Sequence, residues 1–329
     1  MKEILAHLFE YKTFSRQEAY EILTNIAMGK YDSHQIAAFM TAYGMRSIRV
    51  EELGGFRDAM YDLCLKLDFS DYDLIDLCGT GGDGKNTFNI STIASFITAG
   101  AGYHVAKHGN IGVSSSCGSS NVMEYLGYQF SNDTAELQRQ LDEANICFLH
   151  APLFHPAMKT VAPIRRALGV KTFFNMLGPL TNPANPRFQS VGVFSLELAR
   201  LYGYLYQNTN KQYSIIHALD GYDEISMTGD FKVINNNGEN YYSMEDLGFT
   251  PISAQELTGG ETIADAAQTF LSILKNQGTD VQNNVVLTNA AFAIRTFNPE
   301  KSFGDCFYEA ESSLMEGKAL RSFQKLIKK

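Results

Sequence analysis

The sequence predicts an α/β protein in two parts: a small N-terminal all-helical domain, then a large doubly wound α/β domain with a mainly parallel sheet. Three observations carry this. The first sixty-odd of the 329 residues read as helices with no strand among them. From Tyr72 onward, short apolar runs alternate with helical segments. The first of these runs, Leu74-Ile75-Asp76-Leu77-Cys78, opens into a glycine loop, a helix and a second strand. That is a βαβ unit with its loop at the carboxyl edge of the sheet.

Taken in order, Ser15-Arg16-Gln17-Glu18 is a capping box, in which serine and glutamate each satisfy an orphan backbone N–H. Behind it Ala19, Ile22, Leu23 and Ile26 form one helical stripe, and Gly29 ends the run. Further helices are expected over 35–45 and 51–67. The βαβ unit has a helix over about 89–101 and a second strand over 103–106. More strands are expected at 146–149, 172–175, 189–194 and 213–217, with Asn235-Asn236-Asn237-Gly238 as a turn between short strands. Helices from about Asn284 close the chain.

Hydrophobic residues at 45% and charged residues at 19% describe an ordinary soluble globular protein. A net charge of −9 argues against a nucleic-acid coat or an anionic membrane surface. The five cysteines are odd in number, scattered and without a Cys-x-x-Cys pair, which fits reduced thiols in a cytosol and gives no zinc motif. Glu3 and Glu10 interrupt the apolar run that a leader peptide needs, and the charge-free stretch 86–106 is too polar for a membrane span. A cytoplasmic location is therefore expected.

Charge is distributed unevenly. Between Gly84 and Met123 there is no Asp or Glu, although 36 of the 329 residues are acidic; even spacing would put about four there. The gap begins in the glycine loop Gly79-Thr80-Gly81-Gly82-Asp83-Gly84-Lys85, passes Lys107-His108-Gly109-Asn110 and ends in the hydroxyl cluster Ser114-Ser115-Ser116-Cys117-Gly118-Ser119-Ser120. Glycines, hydroxyls, amides and two lysines suit a large anion, above all a phosphate ester. A buried segment that avoids acids because it is buried is the bland alternative.

The glycine loop imitates two motifs. Gly79-x-Gly81-x-x-Gly84 has the dinucleotide spacing, but the acid expected about twenty residues on is replaced by Lys107 and His108, and Asp83 would face the pyrophosphate. Gly79-x-x-x-x-Gly84-Lys85 begins a P-loop, but Asn86 stands where Ser or Thr must meet magnesium. What remains is a loop cradling phosphates through backbone N–H groups, with Asn89, Ser91 and Thr92 adding donors at the positive end of a helix. Helix capping is the ordinary reading of Asn89 and Ser91, and both roles are compatible.

On these residues the sequence resembles the anthranilate phosphoribosyltransferase family. Gly79-Thr80-Gly81-Gly82-Asp83 and Lys107-His108-Gly109-Asn110 look like two of its signatures. Phe154-His155-Pro156-Ala157-Met158-Lys159, Val161-Ala162-Pro163-Ile164-Arg165-Arg166 and the run from Phe174 to Pro183 look like its central block. Asp220-Gly221-Tyr222-Asp223-Glu224-Ile225-Ser226 looks like its metal motif. All lie in register across essentially the whole chain.

The resemblance implies a nucleoside phosphorylase/phosphoribosyltransferase-like fold. Its small domain would cover residues 1–68 with a contribution from about 160–180, and its large domain 69–329. It implies transfer of the phosphoribosyl group of 5-phosphoribosyl-1-diphosphate (PRPP) to anthranilate for tryptophan synthesis, releasing pyrophosphate. Gly79, Gly82, Asp83, Thr87, Asn89, Ser91, Thr92, Lys107, Ser115 and Ser119 match PRPP-binding positions, and Gly79, His108, Asn110 and Arg165 the anthranilate site. Ser91, Asp223 and Glu224 match ligands of Mg²⁺. No residue is assigned as an acid or base, because the attacking aromatic amine is neutral at pH 7. A homodimer through the small domain is implied, with neither nucleic acid nor membrane as a partner.

Three positions depart from the family pattern. Ile111 stands where Arg is common, Ser120-Asn121 where Ala-Asp is common, and Ser116 where Lys is frequent. The Ile111 and Asn121 changes remove one charge of each sign, consistent with an ion pair lost as a unit. Two rivals share the fold. A pyrimidine nucleoside phosphorylase would need neither Asp223-Glu224 nor Arg165, and a silent nucleic-acid-binding relative should have gained a basic face.

Overall fold

The computed structural model describes residues 1–112 and 117–328. They divide into two compact units, Met1–Leu67 with Ala151–Asn185, and Asp68–His150 with Pro186–Lys329.

The first unit is helical: Lys2–Phe9, Arg16–Ala27, Ser33–Gly44, Val50–Asp62 and Met158–Leu168 are its longer elements. The Ser15 capping box is formed, with Glu18 N–H donating to Ser15 Oγ (3.3 Å) and Ser15 N–H to Glu18 Oε2 (2.8 Å). The stripe Ala19, Ile22, Leu23 and Ile26 is buried, as its spacing predicts. Gly55 lets Val50–Asp62 approach Arg16–Ala27, since a Cβ there would lie 2.2 Å from Arg16 O. The fully buried Glu52 ties the unit together. Its carboxylate accepts from Phe14 N–H (3.1 Å), Tyr43 O–H (2.9 Å) and Arg49 N–H (2.9 Å), and pairs with Arg46. Donors on every side are what make a buried carboxylate tenable.

Two expectations are corrected in this unit. The helix over 51–67 ends at Asp62, because the chain beyond it bonds elsewhere: Leu65 N–H donates to Phe154 O (2.8 Å) and Leu67 N–H to Pro183 O (3.1 Å). The strand over 172–175 is instead a 3₁₀ turn, Phe173–Met176. Asn175 Oδ1 takes Thr172 N–H (3.1 Å) and closes the turn, while Phe173 stacks on Phe174 (4.5 Å) and Phe56 (4.6 Å). A run of four residues is too short for periodicity to separate strand from helix.

The second unit is built on seven strands: β1 (Leu74–Gly79), β2 (His104–Gly109), β3 (Ile146–His150), β4 (Phe188–Gly192), β5 (Gln212–Ala218), β6 (Phe231–Asn235) and β7 (Gly238–Tyr242). Their order is β3-β2-β1-β4-β5-β6-β7, parallel from β3 to β5 and antiparallel for the β6–β7 hairpin. Helices Ile90–Gly100, Asp280–Phe297, Phe303–Met315 and Lys318–Ile327 contribute the apolar residues of the main core. None of the described helices is long and apolar enough to cross a membrane.

The chain runs outward from β1 to β2 and β3, then returns on the other side of β1 as β4. The switch point of the sheet therefore lies between β1 and β4, where open α/β sheets offer a crevice at the carboxyl ends. There Gly79 and Gly192 are register partners, and Thr80 N–H donates to Gly192 O (3.0 Å). Both glycines make room for the loop that follows β5. A Cβ on Gly192 would fall 1.5 Å from Asp223 O, and one on Gly79 would fall 2.3 Å from Asp223 Oδ2.

This contact generates a paired prediction. Gly192→Ala forces backbone apart and should cost about 2–4 kcal/mol. Gly203→Ala, within helix Leu196–Tyr206, places its Cβ an ordinary 3.5 Å from Ile234 Cγ2, and should be neutral or stabilise by up to about 1 kcal/mol. Urea melts of the two variants beside the wild type check both signs.

Candidate active site

The glycine loop after β1 is wound through left-handed backbone at Gly81, Gly82 and Gly84, with φ of +64°, +76° and +77°. Side chains resist that region, so a loop of this curvature requires glycine. Gly81 N–H donates to Asp223 Oδ2 (2.6 Å), and Lys85 N–H to Asp83 Oδ1 (2.9 Å). The Lys85 ammonium sits 4.5 Å above the Tyr222 ring. Farther along, Thr87 pairs with Thr258 in an isolated bridge, and Gly259 N–H donates to Asn86 O (2.9 Å).

The loop delivers the chain into helix Ile90–Gly100, whose first turn faces the acids after β5. Asn89 precedes it, but its side chain does not cap the helix; Nδ2 donates instead to Cys117 O (3.3 Å). Ser91 N–H donates to Glu224 Oε1 (3.3 Å), one of the orphan donors of a helix start. Thr92 is buried.

From β2, Lys107 is buried and donates through Nζ to Leu77 O (2.6 Å) and, at 3.5 Å, to Ser91 Oγ. Burial pulls its ammonium down, while Asp76, the Cys78 sulfur and Glu224 push it up. Asp76 is fully buried in β1, and its Oδ1 accepts His108 N–H (3.1 Å). The segment beyond β2 is laced across both its ends. Asn110 O accepts Ser120 N–H (3.1 Å) and Ser119 Oγ–H (3.4 Å). Asn121 Oδ1 accepts Gly112 N–H (2.9 Å) and Gly118 N–H (3.0 Å). An amide at 121 thus serves backbone donors without needing a cation, and Ile111 is exposed. Ser115 and Ser116 lie outside the described residues.

Asp223 and Glu224 form the acidic wall. Burial comes first, then each other and Asp83, and these hold Asp223 well above the usual carboxylate range. Burial likewise pushes Glu224 up to about 7, against the opposing pull of Lys107 and Ser91. Asn289, in the otherwise apolar middle of Asp280–Phe297, fixes their loop. Its Nδ2 donates to Ile225 O (2.9 Å), and its Oδ1 accepts Ile225 N–H (3.1 Å). Ser91, Ser190, Gly192, Asp223, Glu224 and Asn289 line a cavity at this end of the sheet. Among the described residues, no three carboxylates, imidazoles or thiols group closely enough to hold a metal ion alone. An acid pair of this kind, Asp223 buried and Glu224 half-buried, suits a hard cation that brings most of its oxygen shell with it, as Mg²⁺ does on a diphosphate.

Gly79, Gly82, Asp83, Ser91, Lys107, Asp223 and Glu224 therefore gather at the ends of β1, β2 and β5, with Thr87, Asn89 and Thr92 on the connecting loop and helix. His108 lies near the end of β2, and just beyond the strand Asn110 meets Ser119. Arg165 belongs to the other unit, in the last turn of Met158–Leu168. Its Nη2 donates to Asn175 Oδ1 (3.2 Å) and its guanidinium lies 5.5 Å from the Phe174 ring centre. Sequence reading missed Asp76, Gly192 and Asn289. Two carried a signal: a lone acid inside a buried strand, and a lone amide inside the charge-free apolar run Val285–Ala293.

The raised Glu224 has a definite consequence for stability. Between its unfolded value of 4.5 and its folded value of about 7, the unfolded chain ionises first, so wild-type stability falls with rising pH. The stability advantage of Glu224→Gln over the wild type should therefore be smallest below pH 4.5, grow up to about pH 7 and then level off. Metal-free melts across that range test it; a constant or shrinking difference contradicts it.

Known proteins share this architecture. The family described as glycosyl transferase family, a/b domain, matches residues 71–320, and its helical bundle domain matches residues 2–64. The anthranilate phosphoribosyltransferase of Christiangramia forsetii is 57% identical over 100% of this chain and 99% of its own. That of Cytophaga hutchinsonii is 52% identical over the whole of both. The crystal structure of the Thermus thermophilus enzyme superposes with a TM-score of 0.91 at 29% identity, covering 98% of each chain. The Saccharomyces cerevisiae enzyme, solved in complex with PRPP and Mg, shares the fold with a TM-score of 0.91 at 24% identity, over 98% of this chain and 95% of its own. With a glycine loop facing an acid pair, and matched along its full length by these relatives, the chain belongs to the anthranilate phosphoribosyltransferase family.

Proposed function

We propose that this chain transfers the 5-phosphoribosyl group of PRPP to the amine of anthranilate, releasing pyrophosphate and giving N-(5-phosphoribosyl)anthranilate in tryptophan biosynthesis. The observation that carries the reading is the acid pair, buried Asp223 and half-buried Glu224, held against the glycine loop and the start of helix Ile90–Gly100. Two acids at that place repel a bare diphosphate, and they suit one that arrives with a divalent cation.

The chemistry asks for electrostatics more than for proton transfer. The C1–O bond to pyrophosphate breaks as the amine nitrogen bonds to C1, and the amine then sheds a proton. Asp223, Glu224 and Ser91 would hold Mg²⁺, which would supply positive charge to the departing diphosphate. The chain's own part is to bind and orient. Gly79, Gly82, Thr87, Asn89, Thr92, Ser115 and Ser119 are read as PRPP donors. Asp83 is read as accepting from the sugar hydroxyls or facing the cation. Lys107, a buried cation anchored on Leu77 O, offsets the acid pair and the phosphates. Anthranilate is assigned to Gly79, His108, Asn110 and Arg165. Arg165 is the carboxylate anchor, since its planar fork suits that group and no acid within the described residues neutralises it.

Exposed Phe9, Tyr11, Met28 and Met45 in the helical unit support a homodimer formed through it. Five free, buried cysteines fit a reducing cytoplasm.

Loss of anthranilate fluorescence in the presence of PRPP and Mg²⁺ tests the activity, with uridine plus phosphate as the contrasting substrate pair. Turnover of the second pair alone contradicts the reading. Asp223→Asn with Glu224→Gln should lower kcat by on the order of 100-fold or more, and full activity in excess chelator would refute the metal role. Arg165→Ala should raise the anthranilate KM by roughly 30- to 1000-fold with little change for PRPP, and Arg165→Lys should recover only part of the loss. Steady-state kinetics with each substrate varied in turn decides it.

A further inference from the structure

The helical unit holds Arg165 by contacts that orient it without neutralising it. One guanidinium nitrogen, Nη2, donates to Asn175 Oδ1 (3.2 Å), and the Phe174 ring lies 5.5 Å from the guanidinium carbon. Both supports are rigid. Asn175 Oδ1 is fixed by Thr172 N–H (3.1 Å), and Phe174 is buried and stacked on Phe173, which stacks on Phe56. Arg165 is half-buried and, among the described residues, no carboxylate lies against it. A carboxylate at 175 would satisfy the same two donors and hold the fork in the same plane. It would also take the charge that an incoming carboxylate needs. The neutral amide keeps the geometry and leaves the charge free.

We infer that Asn175 is a positioning residue for carboxylate recognition: it holds the Arg165 fork from one corner while leaving its charge and remaining donors to the substrate. This rests on the reading of Arg165 as the anchor of the anthranilate carboxylate. A purely structural role is the competing account, because Asn175 also closes the Phe173–Met176 turn. The two accounts part over the Asn175→Asp variant. For the turn, the new carboxylate accepts Thr172 N–H as well as the amide does. For recognition, it pairs with Arg165 and competes with the substrate.

The test uses the full chain with PRPP and Mg²⁺, comparing Asn175→Ala, Asn175→Asp and Arg165→Ala for anthranilate KM, PRPP KM, kcat and melting temperature. Asn175→Ala should raise the anthranilate KM roughly ten-fold through loss of one charge-assisted contact. Asn175→Asp should raise it at least as much while melting near the wild type, with PRPP KM and kcat within about two-fold. A wild-type anthranilate KM in Asn175→Asp, or in Asn175→Ala should the aspartate variant melt early, overturns the inference while Arg165→Ala still shows its defect. An unchanged KM in Arg165→Ala overturns the anchor itself, and the inference with it.

Discussion

The close approach of the Asp223 loop to the ends of β1 and β4 is the contact on which the rest of the site depends. Gly79 and Gly192 are register partners across the switch point of the sheet, and a methyl group on either would collide with Asp223. With both absent, the loop settles on the strand ends, burying Asp223 and half-burying Glu224. Gly81 N–H then reaches one carboxylate and Ser91 N–H the other. The glycine loop, the helix start and the acid pair become one cluster because nothing larger than hydrogen stands between them.

Burial of that pair sets the electrostatics. Two neighbouring carboxylates away from water repel each other and hold on to protons. Lys107 is the buried cation that partly offsets them, and it in turn leans on Asp76 and the carbonyl of Leu77. Two acids share one lysine, a balance that suits the divalent cation proposed above. Around the loop, a forty-residue window without acids adds no further negative charge.

Much of this was legible in the sequence, for physical reasons. Strand, glycine loop, helix and strand follow from a change of hydrophobic period at Tyr72, and the Ser15 capping box is a purely local pattern. The Phe173–Met176 turn reads as a strand over 172–175 in the sequence because a run of four residues around two phenylalanines has no usable period. Gly192 was invisible for a different reason. Its requirement arises from a loop thirty residues away, and a glycine at a strand end carries no local sign of what will approach it. Asp76 and Asn289 are polar residues within largely apolar runs, a signal the sequence reading left unused, and which groups they meet is fixed only by the fold.

The central question is whether Asp223 and Glu224 are there to receive a cation-bound diphosphate. Calorimetry of PRPP binding with Mg²⁺ near pH 6.5, repeated in buffers of different ionisation enthalpy, counts the protons released. The difference between wild type and the Asp223→Asn/Glu224→Gln double variant cancels the protons that belong to PRPP itself. Acids held above their usual range must give up protons when the cation arrives. The wild type should therefore release more protons than the variant and bind more tightly as the pH rises. Equal proton release from both proteins would contradict it.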